Sequence, residues 1–315
     1  MVSLCRNMDI SVSSKNTYGV HQRQFIAVCG AFGWDPLTIS EDELCMVAVH
    51  FAVGHTTKSI RSFMSALQKM FNDTGAGPLP RGPKFLLFMK GLERLWGPAD
   101  QVVRTRALGV DELRQILSSL DKKDKDQVCF GAQLVVAFML ALRTEDHTDG
   151  RMKWGDIYPQ LDRSVEFLLR PGKSVHRFRR AAIAAKLGVL DCLEWLQLHE
   201  ANLPPEARGL NEPVFVSFKE QVGGETRCVA LSRSVFILRF KSVVETVLNV
   251  CPKLYSGYSL RRGGVTEMLS VGVPLAIIKA HVGWTPTSNA HCTYYDHAGR
   301  LQMRIPTRAM GGKRY

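Results

Sequence analysis

One segment concentrates residue types suited to holding and attacking a phosphodiester. It runs Tyr258-Ser-Leu-Arg261-Arg262-Gly263-Gly264, continues through His281-Val-Gly283-Trp284, and ends on Tyr294-Tyr295-Asp296-His297. Arginine carries a planar fork of donors, charged at any working pH, that matches phosphate oxygens two at a time. A tyrosine hydroxyl nearby can serve as a covalent nucleophile, dividing one hard displacement into two easier ones. Taken singly, these features have ordinary explanations: a solvated basic turn, a packed helix start, a common pair of tyrosines. Their order and spacing along one stretch single the segment out.

Length and composition bound what can position such a site. At 315 residues the chain is long enough for two domains, each with a real core. A hydrophobic content of 45% with 22% charged residues is that of an ordinary soluble globular protein. The net charge of +12 and pI near 9.4 favour a polyanion such as nucleic acid as partner. Eight cysteines (5, 29, 45, 129, 192, 228, 251 and 292) are scattered with no Cys-x-x-Cys pair. They read as buried small hydrophobes in a reducing compartment, without a disulfide framework or zinc cluster. The N-terminus lacks a signal peptide's apolar core, and the longest apolar run, Leu134–Leu142, is too short to cross a bilayer. A soluble intracellular protein with no membrane partner is expected.

After a loose lead-in (1–10), residues 11–97 read as four short helices. The first starts near Ser13 or Ser14, carries Tyr18, Phe25, Cys29 and Phe32 at near-helical spacing, and stops at Gly33-Trp-Asp-Pro36. Ser40-Glu-Asp-Glu43 is a capping box opening a helix with Leu44, Val47 and Phe51 on one face. Thr56 or Thr57 opens the clearest amphipathic helix, with Ile60, Phe63, Met64, Leu67, Met70 and Phe71 inward. A breaker-rich turn over 72–82 leads to a fourth helix from Pro83, with Phe85, Met89, Leu92 and Leu95 inward. Lys58, Arg61, Lys69, Lys84, Lys90 and Arg94 give these helices basic outer faces.

A polar linker (98–106) separates this bundle from the rest, 107–315. A short helix over Asp111–Leu120 precedes Val128–Leu142, apolar nearly all round and therefore central to the second domain. Arg143 ends it, where a cation is also favoured by the free carbonyls and the helix dipole. Val165–Arg170 and Phe178–Ala184 read as strands joined by Arg170-Pro-Gly-Lys173-Ser, a hairpin turn by its Pro-Gly chemistry. Gly172-Lys173-Ser174 is not a P-loop, because position 167, where the leading glycine belongs, is Phe. His199-Glu200 has no second His at 203, so no zincin motif is present. Leu190–His199 reads as a helix, Pro213–Ser217 as a short strand or turn. A further helix starts at Ser232 or Ser234, with Val235, Leu238, Val243, Val247 and Leu248 on its apolar face. The tail is basic, and the chain has no internal repeats.

The segment resembles the C-terminal signature of the tyrosine recombinases, the integrase and Cre-like superfamily. Their pattern runs His-x-x-Arg, a helix, Gly-His or Gly-Trp, then a tyrosine about nine residues on. Here it reads Tyr258-x-x-Arg261, Gly283-Trp284 and Tyr294/Tyr295. The wording Ser-Leu-Arg-Arg-Gly-Gly-Val-Thr looks most like the DIRS-type and Crypton-type recombinases of eukaryotic mobile elements. The resemblance implies a mainly α fold with a small antiparallel sheet: an N-terminal helical core-binding (SAM-like) bundle and a C-terminal α+β catalytic domain. It implies cutting and rejoining of double-stranded DNA through a 3′-phosphotyrosyl intermediate, with no metal or nucleotide cofactor, self-assembly as a tetramer on DNA, and the nucleus as site of action in a eukaryotic host. The carried-over catalytic set is Arg143, Lys173, Tyr258, Arg261, Trp284 and Tyr295. Arg143 and Arg261 would clamp the phosphate with the Trp284 indole, and Lys173 would protonate the leaving oxygen.

Three points depart from the pattern. The spacing from Arg143 to Trp154-Gly-Asp156-Ile157 is about two residues long, with His-Thr-Asp-Gly as the extra material, which unsettles the role of Asp146. The nucleophile lies ten or eleven residues after Trp284: the shorter count favours Tyr294, whereas Tyr295-Asp296-His297 fits the relatives' Tyr-x-His and favours Tyr295. Tyr258 stands where the family has histidine, and a tyrosine titrating near ~10 is a poor proton acceptor at neutral pH. An active recombinase and a weak or inactive recombinase-derived DNA-binding protein both remain open, with a basic helical interaction protein as the remoter reading.

Overall fold

The computed structural model describes residues 12–96, 105–170, 180–184, 190–220 and 226–292. The chain divides into two compact units, Met1–Val103 and Arg104–Tyr315. The first is helical: α1 Val12–Phe32, α2 Glu41–Ala52, α3 Thr57–Thr74 and α4 Pro83–Trp96. The Ser40 capping box forms, Glu43 N donating to Ser40 Oγ and Ser40 N to Glu43 Oε2 at 2.7 Å. All six inward positions expected of α3 are buried, against Phe25 and Cys29 of α1 and Leu44, Val47 and Phe51 of α2. The helix runs on to Thr74, two residues into the expected turn, and ends on Gly75 in the left-handed conformation.

Two expected core residues face outward: Phe32, which stacks on Trp34 at 4.6 Å, and Leu95 at the end of α4. Three of the outer cations are answered by acids. Arg61 pairs with Glu93, Lys69 with Asp73 and Lys84 with Asp42. Glu93 and Asp42 come from neighbouring helices, which a one-helix view of charge does not register, whereas Asp73 is reached because α3 runs on past the expected turn.

The second unit is α5 Val110–Ser119, α6 Lys125–Met139, β1 Ile157–Pro159, β2 Val165–Leu169, β3 Arg180–Ala184, α7 Cys192–Ala201, β4 Val216–Glu220, β5 Thr226–Ala230, α8 Arg233–Leu248, α9 Tyr258–Ser270 and α10 Leu275–Val282. Strands β1-β2-β3 form an antiparallel sheet, and β4 pairs antiparallel with β5. This is the mainly α architecture with a small antiparallel sheet. The expected centre is α6: every residue from Val128 to Phe138 is buried, and Gly131 lets the Trp195 ring of α7 lie against its backbone. It starts three residues earlier than the apolar run, because Asp124 caps it through Asp126 N and Gln127 N. It also stops at Met139, earlier than expected. Strand β5 is not among the expected elements. On α8 the expected Val243, Val247 and Leu248 pack partly buried against the core beside the fully buried Phe236, Phe240 and Val244, while Val235 and Leu238 are exposed. Seven described cysteines are free; of them Cys251 and Cys292 are exposed, against the expectation of burial. No described helix is long and apolar enough to cross a membrane.

Candidate active site

The site begins where α6 ends. Ala141 takes a left-handed conformation (φ 46°), and Leu142 N reaches back to Ala137 O at 2.9 Å, a Schellman-type stop. Alanine replaces the usual glycine because its methyl is wanted. It is fully buried among Val265, Leu269, Ile278 and Val282 of α9 and α10. The reversal leaves the Met139 and Ala141 carbonyls to accept from other segments and brings Arg143 onto the next turn, where its N–H donates to Asp146 Oδ2 at 2.9 Å. Its half-buried guanidinium makes no hydrogen bond or ion pair among the described residues. The extra His147-Thr-Asp-Gly150 folds back through left-handed Asp149 and Gly150, so Asp149 N donates to Leu231 O and Asp149 Oδ1 receives Arg233 N, at the start of α8.

Helix α9 carries the Arg-Arg-Gly-Gly motif, and neither arginine is solvated. A Cβ at Gly263 would overlap the Leu108 carbonyl oxygen, and one at Gly264 the Phe138 carbonyl oxygen, so both glycines are needed for backbone-to-backbone approach. At the helix start, Gly257 is as tightly seated against the Thr144 hydroxyl. Tyr258 therefore stands beside the Arg143 turn, 43% exposed.

Arg261 is 1% exposed. Its Nη1 donates to Ala141 O at 2.6 Å and its Nη2 to Val282 O at 3.1 Å, and its guanidinium lies 5.6 Å from the Trp284 ring centroid. Both carbonyls sit two residues before a sequence-nominated site residue, Arg143 and Trp284. Arg261 thus staples the turn after α6 to the turn after α10, and no carboxylate pairs with it among the described residues. Left-handed Gly283 (φ 69°) ends α10 and turns the chain so that Trp284 N bonds to Lys279 O at 2.8 Å. His281 adds a second tie, its Nε2 donating to Met139 O at 2.9 Å.

Arg262, the other motif arginine, donates from Nη1 to Thr105 O. Around it Arg106 N bonds to Leu254 O, Leu108 N to Ser259 O, and Glu112 receives both Arg106 and the Tyr255 hydroxyl. Burial and the Glu112 carboxylate push the Tyr255 hydroxyl up to about 12, so it stays a donor. Beneath the Arg143 turn, Gln133 Nε2 donates to His147 Nδ1 and to His147 O, and burial pushes that imidazole down to about 3.

The structure therefore brings together four of the six nominated residues: Arg143, Tyr258, Arg261 and Trp284. Lys173 and Tyr295, with Tyr294, lie outside the described residues. Arg170, the last described residue before the Lys173 turn, bonds to Asp156 at 2.9 Å and lines one small cleft with Asp146. Ala141, Thr144 and His281 contribute to the site without being nominated by the motif. Only Gly257, directly before Tyr258, and the position of His281 ahead of Gly-Trp hint at them in the sequence.

No family model and no curated protein matches the sequence. Solved structures do. The XerH site-specific recombinase bound to a palindromic difH substrate, in a post-cleavage complex, is 16% identical, with a TM-score of 0.64 over 93% of this chain and 78% of that one. The Tn1549 transposon integrase in complex with circular intermediate DNA is 14% identical, with a TM-score of 0.59 over 94% of each chain. A lambda integrase dimer bound to a COC′ core site is 14% identical, with a TM-score of 0.59 over 95% of this chain and 75% of that one. The fold is that of these recombinases and integrases.

Proposed function

We propose that this protein is a site-specific DNA recombinase that cuts and rejoins duplex DNA through a 3′-phosphotyrosyl link. One observation carries the reading: a fully buried arginine without a carboxylate partner, Arg261, lies behind the turn of a second arginine, Arg143, whose guanidinium is also unpaired among the described residues. Burying a cation is costly unless an anion compensates it, and a phosphodiester held at the Arg143 turn would do so. Three solved proteins of the same fold were captured on DNA, one of them after cleavage.

In this mechanism Arg143 grips non-bridging oxygens directly. Arg261 contributes charge from behind and sets the positions of Arg143 and Trp284, whose indole N–H donates to the same phosphate. The Tyr295 hydroxyl gives its proton to solvent as its oxygen attacks phosphorus and the bond to the 5′ oxygen breaks, and Lys173 gives that 5′ oxygen a proton. The four-helix unit 11–97 binds duplex backbone, the 98–106 segment links it to the catalytic unit, and four copies assemble on DNA. The wording of the motif, which looks most like that of DIRS-type or Crypton-type recombinases, supports a mobile-element origin, with the nucleus as site of action in a eukaryotic host.

The test is a suicide-nicked duplex carrying the terminus of the element. A covalent protein–DNA adduct is expected, abolished by Tyr295→Phe with binding intact and retained by Tyr294→Phe. Exchanged outcomes make Tyr294 the nucleophile; adducts from both variants sink the mechanism. Tyr258 favours a second reading, a recombinase-derived protein that binds DNA and cuts it slowly or not at all. In that case the parent gels as a non-covalent complex only, and Tyr258→His restores the adduct.

A further inference from the structure

The β4–β5 hairpin carries an arrangement that works against its own stability. Its register sets Lys219 directly opposite Arg227, and both are exposed. Facing residues on an antiparallel pair hold their Cβ atoms ~5 Å apart, and like charges there repel. Several cations elsewhere do meet acids: Arg61 with Glu93, Arg114 with Asp111, Lys122 with Glu194, Arg163 with Asp191, Arg239 with Asp126. Among the described residues neither Lys219 nor Arg227 meets a carboxylate.

The pair cannot escape by slipping. The other face of the hairpin is pinned: Val216 is buried with Leu203 and Ala207, and Phe218 and Cys228 pack against that cluster. Cys129 Sγ and Leu231 N bond to the Val216 and Phe215 carbonyls. A one-residue shift would turn Lys219 into that cluster. Glu206, which acts on the Cys228 thiol, neighbours Ala207 of that cluster. Lys125, on α6, lies over the Phe218 ring at 5.1 Å on that pinned side.

Resting on the DNA-binding reading, we propose that the outer face of β4–β5 is a phosphate contact for duplex DNA, with Lys219 and Arg227 straddling the sugar–phosphate backbone away from the scissile phosphate. Each strand of a duplex presents one phosphate charge per about 3.4 Å of helix axis, so two cations held this close to each other can each meet a phosphate of the same backbone. The repulsion that costs the free protein stability is cancelled when the backbone lies between them.

Opposite signs are expected in two measurements on the full chain. Lys219→Gln and Arg227→Gln should each leave the melting temperature of the free protein unchanged or higher, since each removes a repulsion. Each should also lower the slope of log affinity against log salt by ~0.9 on a random-sequence 40-base-pair duplex, the share of a single neutralised phosphate. The double variant should lower it by about twice as much, and Lys219→Arg, which keeps the charge, should keep the slope. Unchanged slopes on a duplex the parent binds overturn the hairpin assignment alone. A fall in melting temperature matching the weakened binding also overturns it, because the cations would then be structural. A parent that does not retain the duplex overturns the recombinase reading and the hairpin assignment with it.

Discussion

Arg61 and Arg261 are the same residue type on two helices, and the chain uses them in opposite ways. Arg61, on α3, has a side chain 71% exposed and reaches Glu93 on a neighbouring helix at 2.6 Å. Arg261, on α9, is 1% exposed and directs two donors at backbone carbonyls of two other segments. Around Arg61 the helix is held by an apolar stripe, non-directional burial that any hydrophobe of similar size can supply. Around Arg261 the helix buries Ser259, two arginines and two glycines, and is held by specific bonds and close backbone approach. The first arrangement is a scaffold; the second holds the proposed site, and there buried polar groups fix the placement of their neighbours.

Substituting glycines breaks the comparison hardest. Gly263→Ala forces a methyl onto the Leu108 carbonyl, a backbone atom that cannot rotate away. A loss of about 3 kcal/mol or more is expected by denaturant unfolding, at the upper end of overpacking costs. A Gly263→Ala protein as stable as the parent would mean that α9 does not sit against 105–109 as described.

Arg261→Met comes next. It strands the Ala141 and Val282 carbonyls, each costing on the order of 1–3 kcal/mol when buried without a donor. Arg261→Lys keeps the charge and one bond. Adduct formation on nicked DNA should then fall on the order of 100-fold while duplex affinity changes far less. Equal losses in both would place Arg261 in general binding rather than in setting the site.

Histidines extend the contrast to pH. Burial pushes His147 down to about 3 and His199 to about 4, both in the second unit. The unfolded chain takes up protons at about 6.5 where the folded chain does not, so stability is full above pH 6.5 and falls as pH drops toward 4. A loss on the order of 1–2 kcal/mol per histidine by pH 5 is expected, followed by pH-dependent melting. His147→Asn should flatten part of that slope, and an unflattened slope would place the proton uptake elsewhere.

The smallest effects belong to the scaffold. Arg61→Ala should change stability by less than about 1 kcal/mol, as exposed ion pairs do. Gly91→Ala, on α4 with open space around it, should be neutral or stabilising by up to about 1 kcal/mol through helix propensity. A large loss from either would erase the distinction drawn between the two helices.

Most of the scaffold is legible without coordinates. The α3 stripe, the Ser40 capping box, the central α6 and the Ser232 cap are local patterns, and local patterns survive folding because period and capping need only neighbours in the chain. Where long-range packing decides, the sequence misleads. Of the five positions that spacing puts on the apolar face of α8, Val243, Val247 and Leu248 pack against the core but Val235 and Leu238 do not. The fully buried positions are Phe236, Phe240 and Val244, since a helix rich in apolar residues all round does not say which side is covered. Strand β5 leaves no local signal because Thr226–Ala230 becomes a strand only by pairing with β4.

The amino-acid sequence by itself determined which residues could form a phosphodiester site: arginines, a Gly-Trp turn and tyrosines in a fixed order, with Tyr258 as the departure. Only the tertiary structure decided that Arg-Arg-Gly-Gly is buried helix and not solvated turn, and that Arg261 faces two backbone carbonyls while Arg143 stays unpaired among the described residues. The physical reason is that a guanidinium's role depends on which acceptors reach it. For Arg261 those acceptors, Ala141 and Val282, lie 120 residues before it and 21 after it in the chain.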